Sequence, residues 1–182
     1  MSVPEKSGPG TVWIITGGPG AGKSTVSRAL LQRFLFGLYL SGDDLRELVV
    51  SGIAHASLEH QPESVRQFEL ARQASVYHAR LYAEAGFEVA LDDVIWPQGA
   101  QFYLDALHGL KVRRVFLSPG LDTALARNAA RTKKSYDTAN LIPMIHGLYP
   151  LMPVAGYEAE GWTVLDTAEL TVEQTVDALL AE

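Results

Sequence analysis

The stretch Thr11–Thr25, TVWIITGGPGAGKST, decides the fold. Its first six residues are β-branched, aromatic or aliphatic and end at two glycines, which is the pattern of a buried strand. From Lys23 onward, apolar residues recur every four positions, which predicts a helix to about Leu35. A glycine-rich loop therefore joins a buried strand directly to a helix.

The loop itself, GGPGAGKS, matches the pattern G-x-x-x-x-G-K-[ST]. Its glycines let successive backbone N–H groups point at phosphate oxygens, and the following helix adds its positive end. We expect Lys23 to reach the β- and γ-phosphates of ATP and Ser24 to bind Mg²⁺. The predicted nucleotide-binding residues are Gly17, Gly18, Pro19, Gly20, Ala21, Gly22, Lys23, Ser24 and, by resemblance to P-loop proteins, Thr25.

Strand and helix patterns alternate along the rest of the chain. Further strands are predicted at 37–41, 87–91, 113–117 and 161–165, with helices at about 44–51, 62–85, 98–108, 121–131 and from 172. This alternation predicts an α/β fold of three layers, with about five parallel strands and helices on both faces. We expect residues 1–10 to form a disordered tail and residues 11–182 a single domain.

Composition excludes several other classes of protein. The chain has 182 residues, 47% of them hydrophobic, no cysteine and a formal net charge of −6. It therefore has no disulfide and no Cys-ligated metal, and the acidic balance gives no reason to expect a nucleic-acid surface. No secretory leader and no apolar run long enough for a membrane span is apparent, so we expect a cytoplasmic protein.

Phosphate binding alone does not separate kinases from GTPases or transporter ATPases. A GTPase needs D-x-x-G and N-K-x-D motifs, and a transporter ATPase needs L-S-G-G-Q. None of these occurs in the sequence. The GTPase and transporter interpretations are therefore disfavoured.

The segment SGDDLR, Ser41–Arg46, follows the second strand. A carboxylate at the carboxyl end of such a strand faces the ligand crevice, where it can accept a hydroxyl proton. Here the sequence resembles the P-loop small-molecule kinases, which include gluconate-kinase-like enzymes, chloramphenicol phosphotransferase and polynucleotide 5′-kinases. The resemblance implies that Asp43 is the base and that Arg46 pairs with substrate or phosphoryl charge, with Asp44 as the alternative base. Otherwise, Asp43 caps the short helix and Arg46 is solvated.

The segment FEVALDD, Phe87–Asp93, resembles a Walker B strand that leads to an acid. This resemblance implies that Asp92 holds a Mg²⁺-bound water. Asp93 is instead a candidate for facing the acceptor. A simple turn formed by the Asp pair is the structural alternative. Trp96 is a candidate for the wall of the acceptor pocket, with core packing as the alternative.

Two arginines, Arg127 and Arg131, lie four residues apart on one predicted helix and share a face. In the related kinases an arginine-bearing lid at this location closes over ATP and expels water. A solvated basic face is the alternative. Asp166–Leu170, DTAEL, resembles a turn found near the adenine site in the same group.

These residues together predict a P-loop kinase of the nucleotide-kinase type with a lid. It would move the γ-phosphoryl group of ATP, with Mg²⁺, to a hydroxyl of a small molecule such as an antibiotic, sugar or nucleoside. One alternative is a nucleotide or polynucleotide 5′-kinase, and another is a regulatory ATPase without such an acceptor. We expect a monomer or homodimer with no membrane partner.

Overall fold

The computed structural model describes residues 8–54, 61–130 and 141–181. Its strands are β1 (Val12–Thr16), β2 (Gly37–Ser41), β3 (Glu88–Asp92), β4 (Val112–Leu117) and β5 (Thr163–Leu165). They form one five-stranded sheet in the order β2-β3-β1-β4-β5, and every pair is parallel. The predicted five-stranded parallel sheet is confirmed.

Helices connect the strands, as crossovers between parallel strands require. They are α1 (Lys23–Leu31), α2 (Gly42–Glu47), α3 (Pro62–Glu84), α4 (Ala100–Ala106), α5 (Leu121–Ala129), α6 (Ile142–Leu148), α7 (Val154–Ala159) and α8 (Val172–Ala181). Short 3₁₀ turns lie at Pro97–Gly99 and Tyr149–Leu151. No helix within the described ranges is long and apolar enough to cross a membrane.

Strand β1 is buried along its whole length because helices cover both faces of the sheet. Val12 and Ile14 point into one core, which α3, α4 and α7 complete. Trp13 and Ile15 point into the opposite core, against α1 and α8. The alternation of side chains along one strand therefore supplies two separate cores, and the predicted three-layer arrangement is confirmed.

Helix boundaries differ from the sequence prediction in several places. Helix α1 ends at Leu31 rather than near Leu35, since the chain must turn before β2 begins at Gly37. Helix α2 begins at Gly42 and ends at Glu47, earlier at both ends than predicted. The helix predicted from about residue 98 is divided, because a 3₁₀ turn ends at Gly99 before α4 starts.

Two helices, α6 and α7, have no counterpart in the sequence prediction. Both are short, and prolines lie at their starts, where proline is compatible with a helix but reads as a loop signal in the sequence. Tyr157 of α7 is fully buried and stacks on Phe116 of β4 at 3.7 Å between ring centroids. Packing onto the sheet therefore accounts for α7 better than its own helix propensity does.

The strand register brings the ends of three strands together. Asp92, the last residue of β3, is paired with Ile15 of β1 on one side and with Ser41 of β2 on the other. The chain leaves β1 into the glycine-rich loop and leaves β2 into α2. The residues after β1, β2 and β3 therefore meet at one edge of the sheet, where ligands bind in open α/β folds.

Candidate active site

The glycine-rich loop has a backbone shape that side chains would not permit. Gly20 has a φ of 85°, and a Cβ there would lie 2.5 Å from the carbonyl oxygen of Ala124. A Cβ on Gly18 would lie 2.5 Å from the ring of Tyr149. The loop is thus tightly enclosed by its neighbours, and Ser24 and Thr25 follow it in the first turn of α1. This is the arrangement that a phosphate-binding loop needs.

Lys23 bends back over the loop that precedes it. Its ammonium group donates to the carbonyl oxygens of Gly17 at 3.0 Å and Gly18 at 3.5 Å. The same nitrogen lies 3.8 Å from Oδ1 of Asp92, and only 13% of the Lys23 side chain is exposed. The lysine predicted to bind phosphate and the aspartate predicted to hold a Mg²⁺-bound water are therefore neighbours.

Asp92 is held by a residue that the sequence analysis did not identify. The hydroxyl of Tyr39, on β2, donates to Oδ2 of Asp92 at 2.8 Å. Burial raises the pKa of Asp92 above its usual range, while Lys23 and Tyr39 act in the opposite direction. Asp43 and Asp93 add to the increase. Asp92 therefore lies in a shared electrostatic field with the other candidate acids.

A metal site built from protein side chains alone is not present among the described residues, where no group of three or more acidic or histidine side chains is clustered for a metal ion. Mg²⁺ in nucleotide sites keeps several waters and binds one or two protein oxygens plus phosphate oxygens. Ser24 in the first turn of α1 and the buried Asp92 beside the loop fit that smaller requirement.

Asp93 has both carboxylate oxygens engaged by donors. Oδ1 accepts from its neighbour's backbone, the N–H of Val94, at 2.7 Å. Oδ2 accepts from Nε of Arg72 at 3.2 Å and from the hydroxyl of Tyr103 at 2.9 Å. Neither Arg72 nor Tyr103 carried a sequence signal, because each reaches Asp93 only through the packing of α3 and α4.

Asp43 is the exposed acid of this edge, with 64% of its side chain accessible. It lies in the first turn of α2, but the helix is capped by Ser41, whose Oγ accepts from the backbone N–H of Asp44 at 3.3 Å. The alternative in which Asp43 caps the helix is therefore wrong. Asp44 is exposed as well, one residue further into the helix.

Arg46 is buried rather than solvated, with 7% of its side chain exposed. Its guanidinium lies 3.7 Å from the ring centroid of Phe68 and donates to the carbonyl oxygen of Ala54. One terminal nitrogen is 3.8 Å from Asp43. The solvated alternative for Arg46 is wrong, and its position beside Asp43 is suited to orienting that acid.

Arg127 connects the loop to the chain after β5. Its guanidinium donates to the carbonyl oxygen of Thr167 at 2.6 Å and to the Ala21 carbonyl oxygen at 3.5 Å. It therefore joins the glycine-rich loop to the segment predicted to lie near adenine. Arg131, the second predicted lid residue, lies outside the described residues, so its role stays a prediction.

Trp96 is exposed at 40%, directly after Ile95, whose backbone is tied to Thr16. The core-packing alternative for Trp96 is therefore disfavoured, and its place in an acceptor pocket stays a prediction.

A cavity of about 340 Å³ lies on the other side of the loop. It is lined by Gly18, Tyr149, Met152 and residues 116–118 and 120–121 at the end of β4. Strand β4 lies on one side of β1, whereas β3 and then β2 lie on the other, so this cavity is separate from the edge that carries Asp43. We assign no chemistry to it, because its lining is mainly apolar.

Comparisons with known proteins agree with this fold. The family model AAA_33, described as an AAA domain, matches residues 12–144, which is more than half of the chain. Comparison with curated protein sequences gives no significant match.

Solved structures share the fold at low sequence identity. The Deinococcus radiodurans tunicamycin resistance protein is 18% identical, with a TM-score of 0.61 over 94% of both chains. The gluconokinase of Sinorhizobium meliloti 1021 is 16% identical, with a TM-score of 0.60 over 97% of this chain and 92% of the other. The Mycobacterium tuberculosis APS kinase is 18% identical, with a TM-score of 0.60 over 96% and 98%. The resemblance to P-loop small-molecule kinases is confirmed by family and fold.

Proposed function

Because the chain belongs to the AAA_33 family of AAA domains and has a P-loop kinase fold, we propose that it is an ATP-dependent phosphotransferase. The γ-phosphoryl group would move to a hydroxyl of a small molecule. The observation that carries this proposal is the convergence of Lys23, Asp92 and the exposed Asp43 at the edge of the sheet that follows the glycine-rich loop.

The loop residues Gly17–Thr25 would hold the nucleotide, and the positive end of α1 would favour its phosphates. Lys23 would exchange its contacts with the loop carbonyls for phosphate oxygens. Ser24 would bind Mg²⁺ directly, and Asp92 would hold a metal-bound water. Mg²⁺, when bound, neutralises charge on the phosphate oxygens.

Asp43 would act on the acceptor. Its carboxylate would accept the hydroxyl proton and orient the oxygen toward the phosphoryl group. Arg46 is a positioning residue in this scheme, because it is buried beneath Asp43 and contacts it. Since phosphoryl transfer depends mostly on positioning and charge neutralisation, proton acceptance is the smaller contribution.

The structures that share this fold support a small acceptor. One is a gluconokinase and another is an APS kinase solved with AMPPNP and APS. Arg127 and the predicted Arg131 would close over the nucleotide and keep water from the phosphoryl group.

A screen for phosphoryl transfer from ATP to hydroxyl compounds tests the proposal, with Asp43→Asn and Asp44→Asn as matched variants. We expect a phosphorylated product with the unmodified protein. Asp43→Asn should lower turnover by about 100-fold, the usual size of a lost general base, and should still bind ATP. ATP hydrolysis without any phosphorylated compound would contradict the proposal, and a larger loss in Asp44→Asn would move the base by one residue.

A further inference from the structure

Arg72 of α3 reaches the same edge of the sheet as the candidate catalytic residues. Its Nε donates to Oδ2 of Asp93 at 3.2 Å. Asp93 also packs closely against Gly42, where a Cβ would lie 3.5 Å from the Asp93 carboxylate carbon. Gly42 directly precedes Asp43 in the chain. Arg72 is therefore connected, through Asp93 and Gly42, to the site proposed for the acceptor hydroxyl.

The Asp93 carboxylate fixes the guanidinium rather than acting as a base. Three donors occupy its two oxygens, from Arg72, Tyr103 and the Val94 backbone. Burial raises the pKa of the Tyr103 hydroxyl above its usual range, and the charge of Asp93 adds to this increase. The hydroxyl therefore stays protonated and remains a donor. With three hydrogen bonds already accepted, the Asp93 carboxylate has little capacity left to accept a proton from the substrate.

The guanidinium of Arg72 keeps most of its donors. Arginine carries five N–H donors in a planar fork, and the hydrogen bond from Arg72 to Asp93 uses one of them, at Nε. The Tyr103 hydroxyl is a further neighbour that interacts with the guanidinium. Its side chain is 35% exposed, whereas Arg46 is 7% exposed and is covered by Phe68. Of these two arginines, Arg72 is the one that presents its fork to a ligand.

The nearest acid on the same helix does not occupy this fork. Glu69, one turn earlier, accepts from Gln73 at 3.1 Å, and its charge adds to the field around Arg72. A planar guanidinium held at Nε by a carboxylate offers its two terminal nitrogens as parallel donors. Such a pair matches the two oxygens of a carboxylate or a phosphoryl or sulfuryl group.

We propose that Arg72 binds an oxyanion of the acceptor, so that the substrate is an alcohol that also carries a carboxylate, phosphate or sulfate group. This inference rests on the proposed function, since it names the class of acceptor for the same site. Asp93 and Tyr103 are positioning residues that hold the guanidinium toward the bound alcohol. The net charge of −6 over the chain disfavours non-specific binding of anions, so an anionic acceptor would need a local positive group such as Arg72.

Matched pairs of alcohols that differ by one oxyanion test the inference: glycerate against glycerol, gluconate against glucose, and nucleoside 5′-monophosphates against nucleosides. Binding is measured by calorimetry in the presence of Mg²⁺ and a non-hydrolysable ATP analogue, and phosphoryl transfer is measured separately. The variants are Arg72→Gln and Asp93→Asn. Arg66→Gln is the control, because Arg66 lies on the same helix, exposed and paired with Glu63.

We expect at least one anionic compound to bind about tenfold or more tightly than its neutral partner, the usual effect of a charge-assisted pair. Arg72→Gln should abolish that preference, mainly through KM rather than kcat. Asp93→Asn should weaken it, and Arg66→Gln should leave it unchanged. A difference in affinity between the carboxylate-bearing and the phosphate-bearing compounds then identifies which oxyanion the site prefers.

Three results would overturn the inference. They are equal binding of neutral and anionic partners, an anionic preference that survives in Arg72→Gln, and no binding of any anionic compound at millimolar concentration. Phosphoryl transfer to a neutral alcohol with any of these results would leave the kinase proposal intact. ATP consumption without transfer to any compound would instead contradict the kinase proposal itself.

Discussion

At the scale of single residues, the role proposed for Asp92 opposes the stability of the fold. The folded protein raises the pKa of Asp92, chiefly by burial, so the ionised carboxylate is less favourable there than in the unfolded chain. The contribution of Asp92 to stability is therefore present at low pH and is lost as the pH rises through its folded pKa. In the proposed site, the ionised carboxylate would hold a metal-bound water, and that role would cost the folded chain stability.

Asp92→Asn should consequently increase the free energy of unfolding at neutral pH by about 1 kcal/mol, a typical gain for removing a functional-site charge. The asparagine oxygen can still accept from Tyr39. The gain should shrink in acid, where Asp92 is protonated, and kinase activity should fall at least about tenfold.

Urea unfolding at neutral and acidic pH measures this difference. Asp43→Asn is the matched control, and its stability should change by less than about 0.5 kcal/mol because its side chain is mostly exposed. A less stable Asp92→Asn protein at neutral pH would show that the contact with Lys23 outweighs the effect of burial.

At the scale of elements, α5 is tied to the nucleotide loop by one side chain. Arg127 donates to Ala21 in the loop and to Thr167 after β5. Three elements that are distant in sequence thus share one guanidinium. We therefore propose that Arg127 supports the loop that would hold the nucleotide.

Arg127→Ala should therefore raise KM for ATP by about tenfold, as expected for a lost charged hydrogen-bonding group, with a smaller effect on kcat. Replacing Arg127 and Arg131 together should lower turnover by at least about 100-fold if both neutralise the transferring group. Steady-state kinetics in both substrates separates the two effects. A loss below tenfold in the double variant would argue against a lid, and Arg33→Ala, on the surface with Asp177, is the control.

At the scale of the whole molecule, a ligand that binds only the folded chain must stabilise all of it. Mg-ATP at about 100 times its Kd should add about 2.7 kcal/mol. In a protein of this size, that energy corresponds to a rise in Tm of about 5–10 °C. Lys23→Met should remove most of the shift, and the exposed Lys111→Met should retain it, as thermal unfolding with and without Mg-ATP would show. An equal shift in both variants would contradict the role of Lys23.

A feature of this molecule could be predicted from the sequence when the residues that determine it lie close together in the chain. The loop around Lys23 is encoded locally by its glycines, so its position between strand and helix was predictable. The pairing of Asp93 with Arg72 and Tyr103 spans 21 and 10 residues. No local pattern specifies it, because it arises only when α3 and α4 pack beside β3.

The same reasoning explains why helix α7 is not predicted from the sequence and why the helix-capping alternative for Asp43 is wrong. Helix α7 is held by the burial of Tyr157 against β4 rather than by helix propensity, so the local sequence does not predict a helix there. Asp43 seemed a possible helix cap because acids favour that position, but the backbone places Ser41 there instead. Competition between two good capping residues is decided by where the strand ends.

The central position of β1 has a consequence for the newly made protein. Its partners are β3 and β4, so Val12 is aligned with Val89 and with Val112, which are made much later. A ribosome synthesising the chain from its amino end would thus release an apolar strand long before either neighbour exists. Pairings this distant in sequence form slowly and leave strand edges open to other chains. Cells making this protein quickly should therefore depend on chaperones that shield Val12–Thr16 until residue 117 has emerged.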